Sequence, residues 1–127
     1  MTGDGSGREV TDAMTFAAWR AVREIDVAAI LCVSGTGFTV RQMARFRPEC
    51  PIIGTSTDPA MVQQLTLSWG TVPVNLTNGG SAEEMVKEAL DVAKVDGLLR
   101  SGDRVAILSG DGIGAKVTNN LQIVTVP

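Results

Sequence analysis

Ala28-Ala29-Ile30-Leu31-Cys32-Val33, running directly into Ser34-Gly35-Thr36-Gly37-Phe38-Thr39, decides the fold of this chain. Six apolar residues without alternation suit a short strand buried on both faces, as in parallel sheets. The glycine- and hydroxyl-rich segment after it interrupts the strand. Val40, Met43 and Ala44 then recur at the spacing of a helix face. Strand, tight turn and helix in this order open a βαβ unit. Pro48 ends the helix and biases Arg47, the residue before it, toward extended backbone.

The unit repeats outward from there. Pro51-Ile52-Ile53-Gly54-Thr55 reads as a second strand, and Asp58-Pro59 places an N-cap beside a proline at the first helical position. Val62, Leu65 and Trp69 mark the buried face of that helix, and Gly70 its stop. Val72-Pro73-Val74-Asn75-Leu76 is a third strand, placed at a sheet edge because Pro73 cannot donate a ladder hydrogen bond. Ser81 and Glu84 form a capping box before Met85, Ala89, Val92 and Ala93, and Gly97 closes this helix. Arg104–Leu108 is the fourth strand and Asn120–Val126 the fifth. The connection between them is short and glycine-rich, so the fifth should run antiparallel to the fourth. Ahead of the first strand, Val10, Met14, Ala17 and Ala21 predict a helix whose start, at Thr11 and Asp12, suits the positive end of the helix dipole. Residues 1–8 are expected to be a disordered leader, and residues 9–127 one domain. The fold class expected is α/β, a three-layer α/β/α sandwich with right-handed crossovers.

Composition narrows the function. The 127 residues carry a formal charge of −3, with eleven Lys and Arg scattered along the chain. This is no nucleic-acid footprint and no membrane patch, so neither partner is expected. The start of the chain lacks a signal-peptide pattern, and no apolar run approaches the ~18 residues that span a bilayer, so a cytoplasmic setting is expected. Cys32, inside an apolar strand, reads as a buried reduced thiol. Asn75-Leu76-Thr77 matches a glycosylation sequon by chance in that setting. The chain contains no histidine. That removes the commonest general base, the histidine triads and most zinc sites. With no paired-carboxylate site either, no catalytic residue, metal or cofactor is expected.

Two glycine-rich loops remain as candidate sites. The first, Ser34 to Thr39, follows a strand and opens a helix, where backbone N–H groups beside hydroxyls form an anion cradle. An ordinary tight turn with a hydroxyl cap is the plainer reading of the same residues. The second is Ser109-Gly110-Asp111-Gly112-Ile113-Gly114, with Lys116 just beyond. Gly35 and Gly37 graze the dinucleotide fingerprint, but its third glycine and the acidic residue ending the second strand are missing. The phosphate-loop pattern fails as well, because no Gly-Lys-Ser or Gly-Lys-Thr occurs.

Particular residues carry a family resemblance. Ala29-Ile30-Leu31, Ser34-x-Thr36-Gly37-x-Thr39, Ala44-Arg45-Phe46-Arg47-Pro48 and Pro51-Ile52-Ile53 stand in order. Gln64-Leu65, Trp69-Gly70-Thr71-Val72-Pro73-Val74, Ala93-Lys94, Gly97-Leu98, Gly102-Asp103, Ser109-Gly110, Gly114 and Thr118-Asn119 follow. In this pattern residues 9–126 resemble the C-terminal, effector-binding domain of pyruvate kinase. The resemblance implies a mixed five-stranded sheet in order 3-2-1-4-5 with strand five antiparallel. It implies a phosphorylated small-molecule effector held by Ser34, Thr36, Gly37, Phe38, Thr39, Gly110, Gly112, Gly114 and Lys116, and contact between copies as a homodimer. It also implies no catalysis, since in that family a separate barrel supplies the metal carboxylates, the phosphoryl-transfer lysine and the substrate arginine. The chain departs from the family where bisphosphates are gripped. Phe38 or Gly35 stands for a basic residue of the first loop, Gly112 for an arginine of the last, and Met85 lies near the place of another. The alternative is a structural or oligomerisation domain with a vestigial effector site.

Overall fold

The computed structural model describes residues 3–33, 38–77, 81–109 and 120–127. At its centre lies β1 (Ala29–Val33), parallel to β2 (Ile52–Ser56) on one side and to β4 (Arg104–Ser109) on the other. β3 (Thr71–Asn75) extends the sheet parallel to β2, and β5 (Asn120–Thr125) closes it antiparallel to β4. The order is β3-β2-β1-β4-β5, as the resemblance implied, and Pro73 does sit in an edge strand.

Every residue of β1 and β2 is buried, and all of β4 after Arg104. Successive strand side chains point to opposite faces, so a strand apolar throughout must be covered twice. Ala29, Leu31 and Val33 pack with Ile53, Val105, Ile107 and with Ala89 and Ala93 of α4 (Ala82–Val95). Ile30 and Cys32 pack on the other face with Ile52, Ala106 and Leu108 beneath α1 (Gly3–Glu24), α2 (Phe38–Arg45) and α3 (Pro59–Leu65). The result is a three-layer α/β/α sandwich. The connections β1-α2-β2 and β2-α3-β3 cover one face and β3-α4-β4 the other, so the direction of winding reverses between β1 and β4.

Local chemistry fixes the helix ends much as expected. Asp58 Oδ1 accepts from the Ala60 N–H at 3.0 Å, with Pro59 opening α3. Ser81 Oγ accepts from the Glu84 N–H at 3.2 Å. The return bond differs from a reciprocal box, because Glu84 Oε1 takes the Ser81 hydroxyl. Gly97, at φ 80°, turns the chain so that the Leu98 N–H reaches the Ala93 carbonyl at 2.8 Å.

Five expectations need correction. α1 begins at Gly3, so helical backbone occupies most of the segment 1–8 expected to be disordered. Glycines there cost ~1 kcal/mol each relative to alanine, but no proline stops the helix running on. Thr11 and Asp12 therefore lie well inside α1, beyond the reach of its N-terminal dipole. The buried stripe of α1 is Thr11, Thr15 and Ala18, while Val10 is exposed. Small side chains let the helix lie close to the sheet, and the Thr15 hydroxyl is satisfied by donating to the Asp12 carbonyl at 3.0 Å. Trp69 lies beyond the end of α3 and is half exposed. Finally, Arg47 is not extended but left-handed, at φ 47°. That conformation costs a non-glycine residue ~1–2 kcal/mol. Stacking of its guanidinium over Trp69, 5.7 Å from the ring centroid, returns ~0.5–1 kcal/mol at an exposed site. The Arg47 N–H also donates to the Ala44 carbonyl at 3.0 Å, and Pro48 is buried, so surrounding packing holds the strained residue in place.

Gly54 marks the tightest packing. A Cβ there would stand 3.1 Å from Leu65 Cδ1, 3.1 Å from Val40 Cγ2 and 3.4 Å from Thr71 Cγ2. Gly54→Ala is expected to destabilise the domain by ~1–3 kcal/mol through overpacking between α2, α3 and the sheet. Chemical denaturation checks this. A variant as stable as the wild type would mean that the helices are looser than described.

Candidate functional site

The carboxyl ends of the strands form a rim, and register places its members in a row. Thr55 pairs with Val33, Val33 with Ser109, and Ser109 with Asn120. The segments 34–37 and 110–119 thus leave the sheet from neighbouring strands, at the point where the winding reverses. Open α/β sheets take their ligands at such a point.

Of the residues expected to form the site, Ser34, Thr36, Gly37, Gly110, Gly112, Gly114 and Lys116 lie outside the described residues. Phe38 opens α2. Thr39 follows it and is 2% exposed, so its side chain belongs to the packing of the first turn. Met85, near the position of a family arginine, is partly buried against the core under α4.

The rim itself carries further hydroxyls: Thr55 and Ser56 were not singled out as site residues in the sequence, and Ser109 only as the first residue of the second loop. Thr55 is buried and donates to the Cys32 carbonyl at 2.9 Å, pinning β2 to the carboxyl end of β1. Ser56 Oγ accepts from the Asp58 N–H at 3.0 Å and so orients the turn into α3. Ser109, also buried, ends β4. The signal was present in the sequence: each is a polar residue at the carboxyl end of an otherwise apolar strand.

The described residues carry few reactive groups, and their state is plain. No group of three or more Cys, Asp or Glu among them could hold a metal ion. Cys32 is a free, fully buried thiol whose pKa is pushed up to about 12 by burial. Burial also raises Cys50, with Glu49 adding to the effect. Neither thiol is activated, since the thiolate is the nucleophile. A separate cleft of about 340 Å³ is lined by Asp12, Gln42, Arg45 and Phe46. Its polar groups engage one another: Arg45 Nη1 donates to Gln42 Oε1 at 2.9 Å, and Gln42 Nε2 to Asp12 Oδ1 at 2.5 Å.

Residues 12–124 match the family described as pyruvate kinase, alpha/beta domain. The chain belongs to this family. Similar proteins include the pyruvate kinase of Lactobacillus delbrueckii subsp. bulgaricus, 32% identical over 116 residues, which cover 91% of this chain and 20% of that protein. That of Geobacillus stearothermophilus is 32% identical over 92% of this chain and 20% of its own length. That of Dictyostelium discoideum is 31% identical over 95% and 24% respectively. The chain therefore spans about a fifth to a quarter of the pyruvate kinases it matches. The match is to their alpha/beta domain, which does not include the catalytic barrel. No helix among the described residues is long and apolar enough to cross a membrane.

The two thiols of this pyruvate kinase alpha/beta domain should differ sharply in reactivity. At pH 8 a thiol reagent is expected to label Cys50 in the native protein, and Cys32 only once the chain unfolds. Raised pKa leaves both mainly protonated, but only Cys50 is accessible. Mass spectrometry of the labelled native protein checks this. Rapid native labelling of Cys32 would contradict the packing of β1.

Proposed function

We propose that the chain is a non-catalytic regulatory domain that binds one phosphate group of a small-molecule effector between the two loops. The site comprises Ser34, Thr36, Gly37, Phe38 and Thr39 with Gly110, Gly112, Gly114 and Lys116. The observation that carries this reading is the pairing of Val33 with Ser109, from which both loops depart at the reversal of winding. Hydroxyls and backbone N–H groups at a helix start suit a phosphate oxygen. A cytoplasmic setting fits an effector of this kind. Phosphoryl transfer is outside this domain's role, since family membership extends only to the alpha/beta domain.

The loop composition favours a monophosphate over a bisphosphate. Gly112 supplies no guanidinium, and Met85 is turned to packing, so charge-assisted bidentate contacts are missing. The second reading, a structural domain with a vestigial site, draws support from those same features and from the buried Thr39 side chain.

Calorimetry separates the two readings. Inorganic phosphate and a sugar monophosphate are expected to bind, with Thr36→Ala weakening binding by ~1–3 kcal/mol through lost hydrogen bonds. Fructose 1,6-bisphosphate should bind no better than a monophosphate until Gly112→Arg is installed. No heat with phosphate at millimolar concentrations would leave the structural reading, and tight bisphosphate binding by the unmodified chain would overturn the monophosphate preference.

Assembly belongs to the same proposal. β5 is an edge strand without a charged residue, and Ile123 on it is 40% exposed. Such an edge invites pairing with a second copy, and a two-fold antiparallel arrangement closes it. Sedimentation should therefore show a homodimer. A single species at the 13.3 kDa monomer mass at high concentration would contradict it.

A further inference from the structure

The periodicity that announces α1 in the sequence, Val10, Met14, Ala17 and Ala21, is not the face that α1 lays on the sheet. Successive helix residues are turned by roughly 100°. Thr11, Thr15 and Ala18 pack toward β4 and β5, over which α1 lies. About a quarter-turn to one side come Asp12, Phe16 and Trp19. These meet α2 and its end: Asp12 Oδ1 accepts from Gln42 Nε2, and both rings touch Phe46. About a quarter-turn to the other side come Val10, Met14, Ala17 and Ala21. α2 packs against β2, so this second flank faces the opposite way, toward the free edge of the sheet at β5. Val10 is 39% exposed there, and Met14, Ala17 and Ala21 each keep part of their surface. Ile123 belongs to the same surface. It pairs with Ala106, which packs on the α1 face of the sheet, so its half-exposed side chain rises on the α1 side of β5. An apolar strip thus runs from the helix flank down to the sheet edge, with no charged residue in the four flank positions or in β5.

We infer that this flank is the helical half of the homodimer contact: a second copy of the chain covers it with the same flank, antiparallel, about the two-fold axis that pairs the β5 edges. The inference rests on the β5 pairing proposed above. Strands lie ~4.8 Å apart, so two α1 helices seated over β4 and β5 come within ~10 Å of each other when the β5 edges pair, a distance at which helices interlock. The flank also carries its own complement. Its large residues, Val10 and Met14, occupy the amino half and its small ones, Ala17 and Ala21, the carboxyl half. An antiparallel copy sets Val10 against Ala21 and Met14 against Ala17, large into small, whereas a parallel copy sets like against like. Charge has the same polarity. Glu9 borders the amino half and Arg20 the carboxyl half, both exposed, so the antiparallel copy brings opposite charges together at each end. Arg20 holds Glu24 at 2.7 Å in an exposed pair, a weak contact that is readily exchanged. A lone peptide strand would satisfy β5 and leave the flank bare, and a lone helix would do the reverse. A second copy offers both in the required relation.

Sedimentation of the full chain and its variants tests this, with circular dichroism to confirm folding. Ala17→Glu points a carboxylate into the contact and leaves the sheet-facing residues intact. It is expected to weaken dimerisation ~100-fold or more, because the charge is buried there without a partner. Cysteine cross-linking in a Cys50→Ser background reads the register. Val10→Cys combined with Ala21→Cys is expected to give a disulfide-linked dimer, and either substitution alone to give little. Unchanged dimer affinity in folded Ala17→Glu, cross-linking by Val10→Cys alone, or no link in the doubly substituted chain overturns the helix contact and leaves the β5 pairing standing. Should Ala17→Glu fail to fold, the cysteine variants decide. A wild-type chain that stays monomeric overturns both.

Discussion

The double burial of β1 is the constraint on which the rest of this domain depends. A strand with no polar face has to be covered on both sides, and one chain does this by sending crossover helices first to one face and then to the other. That change of face is the reversal of winding between β1 and β4. It leaves the carboxyl ends of β1 and β4 side by side, with no strand between them. The candidate site is in this sense a by-product of burying Ile30, Leu31 and Cys32.

Magnitudes support that ranking. Each fully buried Ile or Leu of the central strands contributes ~1.5–3 kcal/mol, against a net stability of ~5–15 kcal/mol for a domain. The strain at Arg47, ~1–2 kcal/mol, and its stacking on Trp69 are each no larger than the contribution of about one such residue. The core can therefore hold one strained residue at its margin without being endangered by it. Close packing is obtained with small residues where the layers meet: Ala18 of α1, Ala89 and Ala93 of α4, and Gly54 of β2. Local deformation there is costly.

Much of this was legible in the sequence because the determinants are local. The apolar run at 28–33, the Asp58-Pro59 cap, the Ser81–Glu84 pair and the edge proline at 73 each announce their structure within a few residues. What could not be read depended on tertiary contact. The face of α1 was misjudged by one position because Thr15 is buried with its hydroxyl satisfied inside its own helix, which a hydrophobic count overlooks. Arg47 was expected to obey its proline, and the contact with Trp69, more than twenty positions away, is invisible to local rules. At the site, the two loops could be named from their glycines and hydroxyls. Thr55 became evident as a rim residue only when register set it beside Val33, in a row with Ser109. The fold was legible almost throughout, whereas the site's chemistry rests on loop composition and family membership.

The central claim is that the two loops, far apart in sequence, form a single anion site because β1 and β4 are neighbours. The most direct measurement is a phosphate titration followed by the backbone amide resonances of the isotopically labelled chain. The account predicts that amides within 34–39 and 110–116 shift together with one shared affinity. It would be contradicted if only one segment responded, if the two titrated with different affinities, or if the shifts centred on the opposite rim around Gly102 and Asp103.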